Sequence, residues 1–209
     1  INPISYTFGG GATGVNITGL PAGVSSIVSG NTVTISGTPT TTTGSPFNYT
    51  ITTSGGSCGT ISLNGTITIN PAATLALTSA ISTTNQIVCT NTTIIPITYT
   101  FGNGATGVTV TGLPTGVNFT TSGNNITITG TPSTTTGSPF SYTITTIGGS
   151  CGTATRNGTI TVNPSPTLVL NSTVATTNQS ICINTTINPI SYTFGGSATG
   201  VTVSGLPAG

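Results

Sequence analysis

The sequence predicts an all-β protein built from tandem sandwich domains, and three observations support this fold class. One segment recurs: INPISYTF at residues 1–8 returns as IIPITYTF at 94–101 and as INPISYTF at 187–194. Apolar and polar residues alternate with a period of two, in short runs separated by Gly and Pro. The chain is also rich in Val, Ile and Thr, which favour strands, and no run shows helical periodicity.

The interval between copies is constant, which defines the size of the repeating unit. Pro3, Pro96 and Pro189 lie 93 residues apart, and the cysteines follow the same interval without any gap in the alignment. An interval of 93 is too long for one coil of a solenoid. It is close to the roughly 100 residues of an immunoglobulin domain. We therefore expect immunoglobulin-like β-sandwich repeats, of the broad type that includes PKD and cadherin domains.

Asn-Pro pairs mark the predicted seams between repeats, at Asn70-Pro71 and Asn163-Pro164. Residues 1–70 are then the later part of one repeat, 71–163 a complete repeat, and 164–209 the first part of a third. Neither partial repeat could bury a whole core by itself. We expect the chain to be a segment of a longer array.

Alternation predicts six strands within the complete repeat. Leu75-Ala76-Leu77 begins the first, and Gly112–Gly116 forms a turn after the third. We expect Tyr142 to be buried beside Tyr99, and truncation of Phe140 to cost about 3–5 kcal/mol. The remaining strands place these apolar residues on the core face: Ile97, Tyr99 and Phe101; Val108 and Val110; Ile126 and Ile128; Phe140, Tyr142 and Ile144; Ile160 and Val162.

The composition excludes several classes of function. The chain has no Asp, Glu, His, Lys, Met or Trp, and Arg156 is its one charged side chain. General acid–base catalysis needs a group that exchanges protons near neutral pH. Calcium sites are built around carboxylates, zinc sites need His or clustered Cys, and nucleic-acid binding needs a basic patch. We predict no enzyme activity, no cofactor, no metal and no nucleic-acid partner.

No apolar run approaches the roughly 18 residues of a membrane span, and no signal peptide opens the chain. Both features fit a segment from the middle of a longer protein that carries its targeting signals elsewhere.

Four cysteines at a fixed interval, in a chain that resembles secreted proteins, predict disulfides. The pairing we favour lies within one repeat, between Cys89 and Cys151, 62 residues apart, with Cys58 and Cys182 paired to repeats outside the chain. A second pairing crosses the seams and joins Cys58 to Cys89 and Cys151 to Cys182, each 31 residues apart. Free structural thiols are the third alternative.

The other candidate site residues have simpler interpretations. Arg156 replaces Leu63 of the preceding repeat, so we interpret it as a solvated strand position. The threonine run at 40–43 is interpreted as the outward face of a strand rather than an ice-binding surface. Asn-x-Ser/Thr triplets would accept glycans in a eukaryotic secretory pathway, but a chain rich in Asn and Thr produces them by chance; they begin at Asn16, Asn48, Asn64, Asn91, Asn118, Asn125 and Asn157.

Several segments resemble repeats of known proteins. GLPAG at 19–23, ISGTPT at 35–40 and FNYTIT at 47–52 resemble the immunoglobulin-like and PKD-like repeats of giant bacterial adhesins. NQIVC at 85–89 and GSCGT at 149–153 resemble repeats of Bacteroidota surface proteins, such as the flavobacterial gliding-motility adhesin exported by the type IX system. The resemblance covers the whole chain. Many cadherin-like relatives carry acidic calcium ligands, and this chain has none.

The resemblance implies a stalk or filament shaft of an extracellular, cell-surface adhesin. Its partners would be neighbouring repeats, with a surface or glycan ligand bound by a domain elsewhere. Two alternatives stay open: the repeats themselves bind glycans or surfaces, or they assemble into a sheath or filament. Glycan sites usually expose Trp or Tyr, whereas this chain lacks Trp and places its Tyr residues on core-facing positions. That pattern favours the stalk.

Overall fold

The structure, a computed structural model, describes residues 1–207 of the 209-residue chain. These residues form sixteen β-strands and two short 3-10 helices, Ile81–Thr84 and Val174–Thr177, with no α-helix among them. The chain divides into two compact units. The first comprises Ile1–Ala72 and Ser150–Gly152, and the second comprises Ala73–Gly149 and Thr153–Gly209.

The first unit contains two three-stranded antiparallel sheets, ordered β1-β4-β3 and β2-β5-β6. A small core lies between them, formed by Val24, Ile35, Tyr49, Ile51 and Ile67. The strands are β1 (Ile4–Thr7), β2 (Gly14–Thr18), β3 (Val24–Ser29), β4 (Thr32–Gly37), β5 (Phe47–Ser54) and β6 (Ser62–Ile67).

The second unit begins with a complete sandwich of two four-stranded sheets, which we call the second repeat. One sheet has the order β11-β12-β9-β7 and the other β10-β13-β14-β8. All pairs are antiparallel except β8 with β14, which run parallel. The strands are β7 (Thr74–Leu77), β8 (Asn85–Cys89), β9 (Ile97–Gly102), β10 (Gly107–Thr111), β11 (Val117–Ser122), β12 (Asn125–Gly130), β13 (Phe140–Ile147) and β14 (Thr155–Asn163).

Beyond the second repeat, β15 (Thr167–Leu170) and β16 (Tyr192–Gly195) form a two-stranded antiparallel sheet. Several corresponding strands begin 93 residues apart, as β2 and β10 do at Gly14 and Gly107, and β7 and β15 at Thr74 and Thr167, whereas β16 begins 95 residues after β9. The third predicted repeat, 164–209, ends with Ala208 and Gly209, which lie outside the residues that the structure describes.

The predicted strand register in the second repeat is confirmed. Ile97, Tyr99 and Phe101 are buried on β9, while Thr98 and Thr100 face the other side. On the facing sheet, Tyr142 and Ile144 alternate in the same way with partly exposed threonines. Since a one-residue slip would exchange the two faces of a strand, these burial patterns fix the register.

Two strands and one side chain differ from the sequence prediction. β11 was missed because, apart from Val117 and Phe119, it is polar. β8 was missed because its buried residue is Gln86 rather than an apolar one. Phe140 is only partly buried against the core, whereas Tyr142 and Ile144 on the same strand are fully buried; the cost of truncating Phe140 stays a prediction.

The chain enters and leaves the second repeat at opposite ends. At one end, Thr74 of β7 pairs with Gly102, and a short turn leads to β10. From the loop at that same end, β14 runs the length of the sandwich to Asn163, which pairs with Cys89 at the other end. A strand of nine residues spans roughly 30 Å, so the repeat separates its two ends by about that distance.

Candidate functional site

The tyrosine pair of the second repeat lies inside the core. Tyr99 and Tyr142 are 1% and 0% exposed, with their hydroxyl oxygens 3.5 Å apart. Tyr142 also donates to the Thr84 carbonyl at 3.4 Å. Gly158 lies against this phenol, where a Cβ would collide with the Tyr142 ring and the Thr84 oxygen. Burial, and then the hydrogen bond to Tyr99, raise the pKa of Tyr142 far above its ordinary value.

The first unit repeats this arrangement in a more open form. Tyr6 and Tyr49 hydrogen-bond through their hydroxyls at 2.8 Å. Burial, followed by the hydrogen bond and charge of Tyr6, raises the pKa of Tyr49 to about 12. Both tyrosine pairs are therefore structural, and in the second repeat neither ring is exposed for a sugar to stack on.

Gln86 is a structural residue that sequence reasoning missed. Its amide nitrogen donates to the carbonyls of Thr83 and Ile95, at 2.9 and 2.8 Å, and its amide oxygen accepts from the Ile95 N–H at 2.8 Å. Gln179 makes the same contacts with Thr176 and Asn188. The signal that could have revealed this role is the recurrence of Thr-Thr-Asn-Gln at 83–86 and 176–179.

The structure places the two cysteines of the second repeat at opposite ends. Cys89 pairs with Asn163, where β14 ends, whereas Cys151 lies in the loop four residues before β14 begins at Thr155. Thr155 and Asn163 are separated by about 26 Å of strand, and four residues reach back at most about 14 Å. The remaining distance of about 12 Å exceeds the Cα separation of about 7 Å that a disulfide allows.

The strand order therefore does not support the favoured Cys89–Cys151 bridge, which stays a prediction from the sequence spacing. The seam-crossing pairs Cys58–Cys89 and Cys151–Cys182 likewise stay predictions, and the structure contains no bridge among the four cysteines. Cys58, Cys151 and Cys182 are exposed and Cys89 is partly exposed. The thiols are thus open to partners from outside these residues.

A cleft of about 170 Å³ opens into the first unit, lined among others by Tyr6, Phe8, Val33 and Ile51. The corresponding residues of the second repeat include Tyr99 and Phe101, which are core residues there. Ligand sites usually have volumes of roughly 300–1,000 Å³ and converging polar groups. The cleft is therefore a gap in an open core rather than a binding site.

Most of the remaining predicted candidates lie on strands, but the threonine run at 40–43 lies in the loop between β4 and β5, so its interpretation as the outward face of a strand is wrong. Arg156 is exposed on β14, with Nη1 donating to the Thr155 carbonyl at 3.1 Å, and Leu63, its counterpart, is 53% exposed. The asparagines of the Asn-x-Ser/Thr triplets are all exposed.

On the outer face of β5 and β6, polar side chains of the two strands form hydrogen bonds with each other. Thr50 donates to the Asn64 amide oxygen at 2.8 Å, and Thr66 donates to that of Asn48 at 2.9 Å. Within residues 1–207, no three His, Cys, Asp or Glu side chains cluster as metal ligands. No helix in the described part of the chain is long and apolar enough to cross a membrane.

Comparison with known proteins identifies the fold. No family model matches the chain, and no curated protein matches it by sequence. The N-terminal eight Ig domains of Down Syndrome Cell Adhesion Molecule match it with a TM-score of 0.52 and 10% identity, over 80% of this chain and 23% of that one. The protocadherin gammaB7 EC3-6 cis-dimer matches with a TM-score of 0.48 and 12% identity, over 90% and 49%.

A titin fragment matches with a TM-score of 0.41 and 8% identity, over 77% of this chain and 89% of that one. At these identities the likeness shows the fold alone. The chain is an all-β protein of tandem immunoglobulin-like β-sandwich domains.

Proposed function

We propose that this chain is a shaft segment of an extracellular, cell-surface adhesin, in which each repeat adds length between the cell and a distant binding domain. The observation that carries the proposal is the course of the chain through the second repeat. It enters beside Thr74 and leaves at Asn163, at opposite ends of a sandwich about 30 Å long. Each added repeat then extends the protein by its own length.

The side chains of the second repeat support a passive role. Its tyrosines are buried, and its one charged side chain, Arg156, is solvated and bonded only to a neighbouring carbonyl. On the first unit, exposed threonines and asparagines of β5 and β6 bond to each other across the strands. A neutral hydroxyl surface of this kind suits a spacer, and it offers little with which to recognise a specific ligand.

The sequence resemblance supplies the finer part of the proposal. We assign the chain to the repeat region of a Bacteroidota surface adhesin of the gliding-motility type, exported by the type IX system. The division into residues 1–70, 71–163 and 164–209 belongs to the same proposal. The neighbouring repeats are its partners, and the ligand is bound elsewhere.

The test measures length as repeats are added. One, two and three further copies of residues 71–163 are inserted after Asn163, and the maximum dimension is measured by small-angle X-ray scattering. A shaft predicts a linear increase of about 30–40 Å for each copy. The matched control inserts Gly/Ser segments of equal length, whose dimension grows only as the square root of residue number.

A dimension that fails to grow linearly would overturn the shaft, since the repeats would then fold back on each other. The same proteins are applied to a glycan array and to polystyrene and silica surfaces. Binding that increases with repeat number would favour the alternative in which the repeats themselves are the adhesive surface. Concentration-dependent growth of the particles would favour assembly into a filament.

A further inference from the structure

At the end where the chain leaves the second repeat, Cys89 lies beside Asn163. The two residues are paired in the parallel ladder of β8 and β14. The Asn163 carbonyl oxygen accepts the N–H of Thr90, the residue that follows Cys89, at 2.9 Å. Gln86 and Val88 turn toward the core and Ile87 is 74% exposed, so the alternation along β8 directs Cys89 away from the core.

At the end of the first unit, another cysteine contacts the equivalent asparagine. Residues Ser150–Gly152 belong to this unit, and the Cys151 thiol donates to the Asn70 carbonyl oxygen at 3.2 Å. Asn70 precedes Pro71 as Asn163 precedes Pro164, and the two asparagines lie 93 residues apart. By sequence, Asn70 therefore corresponds to Asn163, although β6 ends at Ile67 and Asn70 lies three residues beyond it.

Combining the two contacts brings two cysteines to one carbonyl group. We call the cysteine equivalent to Cys89 in any repeat Cys89-type, and the one equivalent to Cys151 we call Cys151-type. In a repeat with a neighbour on each side, the carbonyl oxygen of this asparagine accepts from the N–H of the residue that follows the Cys89-type cysteine of the same repeat. The same oxygen also accepts a hydrogen bond from the thiol of the Cys151-type cysteine of the following repeat. We propose that a disulfide joins the Cys89-type cysteine of each repeat to the Cys151-type cysteine of the next, which covalently locks every seam of the array.

The proposal rests on the proposed function, since it requires repeats arranged in series. It assigns no partner within this chain to any of the four cysteines. Cys58 and Cys151 are Cys151-type residues, with partners in the preceding repeat. Cys89 and Cys182 are Cys89-type residues, with partners in the following repeat.

The bond forms by oxidation of two thiols. Their two sulfurs join, and two protons and two electrons pass to a small disulfide oxidant, such as oxidised glutathione, which is reduced to two thiols. Disulfides of this kind persist in extracellular environments. A shaft with locked seams would carry tension across each junction through a covalent bond as well as through the backbone.

The sequence allows a direct test. Gly209 corresponds to Gly23, because GLPAG occurs at both 205–209 and 19–23. The chain is continued after Gly209 with a second copy of residues 24–70, which completes the third repeat and supplies a Cys151-type cysteine. Cys58 of the original copy is changed to Ser, so that the appended cysteine has a unique peptide context. The protein is oxidised with glutathione, digested and mapped by mass spectrometry.

The expected result is a linkage between Cys89 and the appended cysteine, with two of the four thiols lost on titration. Cys151→Ser leaves this linkage intact, whereas a bridge within the repeat would be abolished by it. Cys89→Ser removes the linkage, and Cys182→Ser is the matched control that preserves it. In the reduced protein, a short bismaleimide should capture the same two cysteines.

A Cys89–Cys151 or Cys151–Cys182 peptide would overturn the proposal. So would two unlinked and uncaptured thiols in a protein whose core amides are protected from hydrogen exchange. Small-angle X-ray scattering of the same sample distinguishes a failure of the disulfide proposal from a failure of the proposed shaft function. An extended particle without the linkage rejects the disulfide and leaves the shaft, whereas a folded-back particle rejects the shaft.

Discussion

The first unit and the second repeat share one sandwich plan but differ in how completely it is closed. Both have equivalents of the six strands β1 to β6. The second repeat adds β7 at the edge of one sheet and β8 at the edge of the other. Tyr99 is 1% exposed there, whereas Tyr6, its counterpart, remains partly exposed beside a cleft of about 170 Å³.

The difference shows which part of a repeat completes its core. β7 brings Leu75, which is 3% exposed and packs in the same cluster as Tyr99 and Phe101. β8 is held by Gln86, whose side chain bonds to the backbone on either side of it. The first twenty residues of a repeat therefore complete a sandwich whose other six strands already pair with each other.

The largest expected effect comes from removing the side chain that closes this core. Leu75→Ala should lower the free energy of unfolding of the second repeat by about 2–5 kcal/mol, because it leaves a cavity beside Tyr99. Denaturant unfolding followed by tyrosine fluorescence measures the change. Leu168→Ala is the matched control, since Leu168 is the counterpart of Leu75 but is 58% exposed. It should change stability by no more than about 0.5 kcal/mol. Equal effects at the two positions would contradict the role of β7.

A smaller effect is expected at the buried amide. Gln86→Leu removes three hydrogen bonds and leaves the Ile95 N–H and two carbonyls without their partner. The expected loss of stability is about 1–3 kcal/mol. Hydrogen exchange at the Ile95 amide should increase at the same time. Gln179→Leu serves as the control, because Gln179 makes the same contacts in a more exposed setting. An unchanged exchange rate at Ile95 would show that Gln86 does not hold β8.

The core could be predicted from the sequence because apolar alternation and strand burial follow from the same period of two. Ile97, Tyr99 and Ile144 were placed correctly on this basis. The position of β8 could not be predicted from the sequence. It depends on a long-range parallel pairing with β14 and on a polar side chain, Gln86, that acts through hydrogen bonds.

The strand order does not support the predicted cysteine pairing, for a related reason. Sequence spacing gives no information about which end of a sandwich a residue occupies. Cys89 and Cys151 are separated by the whole length of β14, which becomes visible only when the strand order is known.

The buried tyrosines predict a loss of stability at alkaline pH. The folded state raises the pKa of Tyr49 to about 12, and that of Tyr142 farther still, while an unfolded tyrosine titrates near pH 10. A raised pKa means that the contribution is complete below about pH 10 and declines above it, because the unfolded chain then loses protons first. The slope cannot exceed about 1.4 kcal/mol per pH unit for each tyrosine.

Unfolding midpoints measured from pH 8 to pH 12 test this. Tyr142→Phe should flatten the decline for the second repeat, and Tyr49→Phe should do so only for the first unit. A midpoint that stays constant to pH 12 in the unmodified chain would mean that these phenols are solvated in the folded state.

The smallest effect is expected at acid pH, and it applies equally to both regions. Stability depends on pH only where a group binds protons differently in the folded and unfolded states. The chain has no Asp, Glu, His or Lys, so it has no carboxylate, imidazole or lysine side chain to titrate between about pH 3 and pH 8. The usual route of acid denaturation, protonation of paired carboxylates, is therefore missing. With no ion pairs between side chains, salt has nothing to screen.

The free energy of unfolding should stay within about 0.3 kcal/mol from pH 3 to pH 8, and moderate sodium chloride or EDTA should leave it unchanged. The measurement requires protein without charged tags, since these would titrate. A cooperative loss of structure near pH 4, or on addition of EDTA, would show that a bound partner supplies charges that the chain itself lacks.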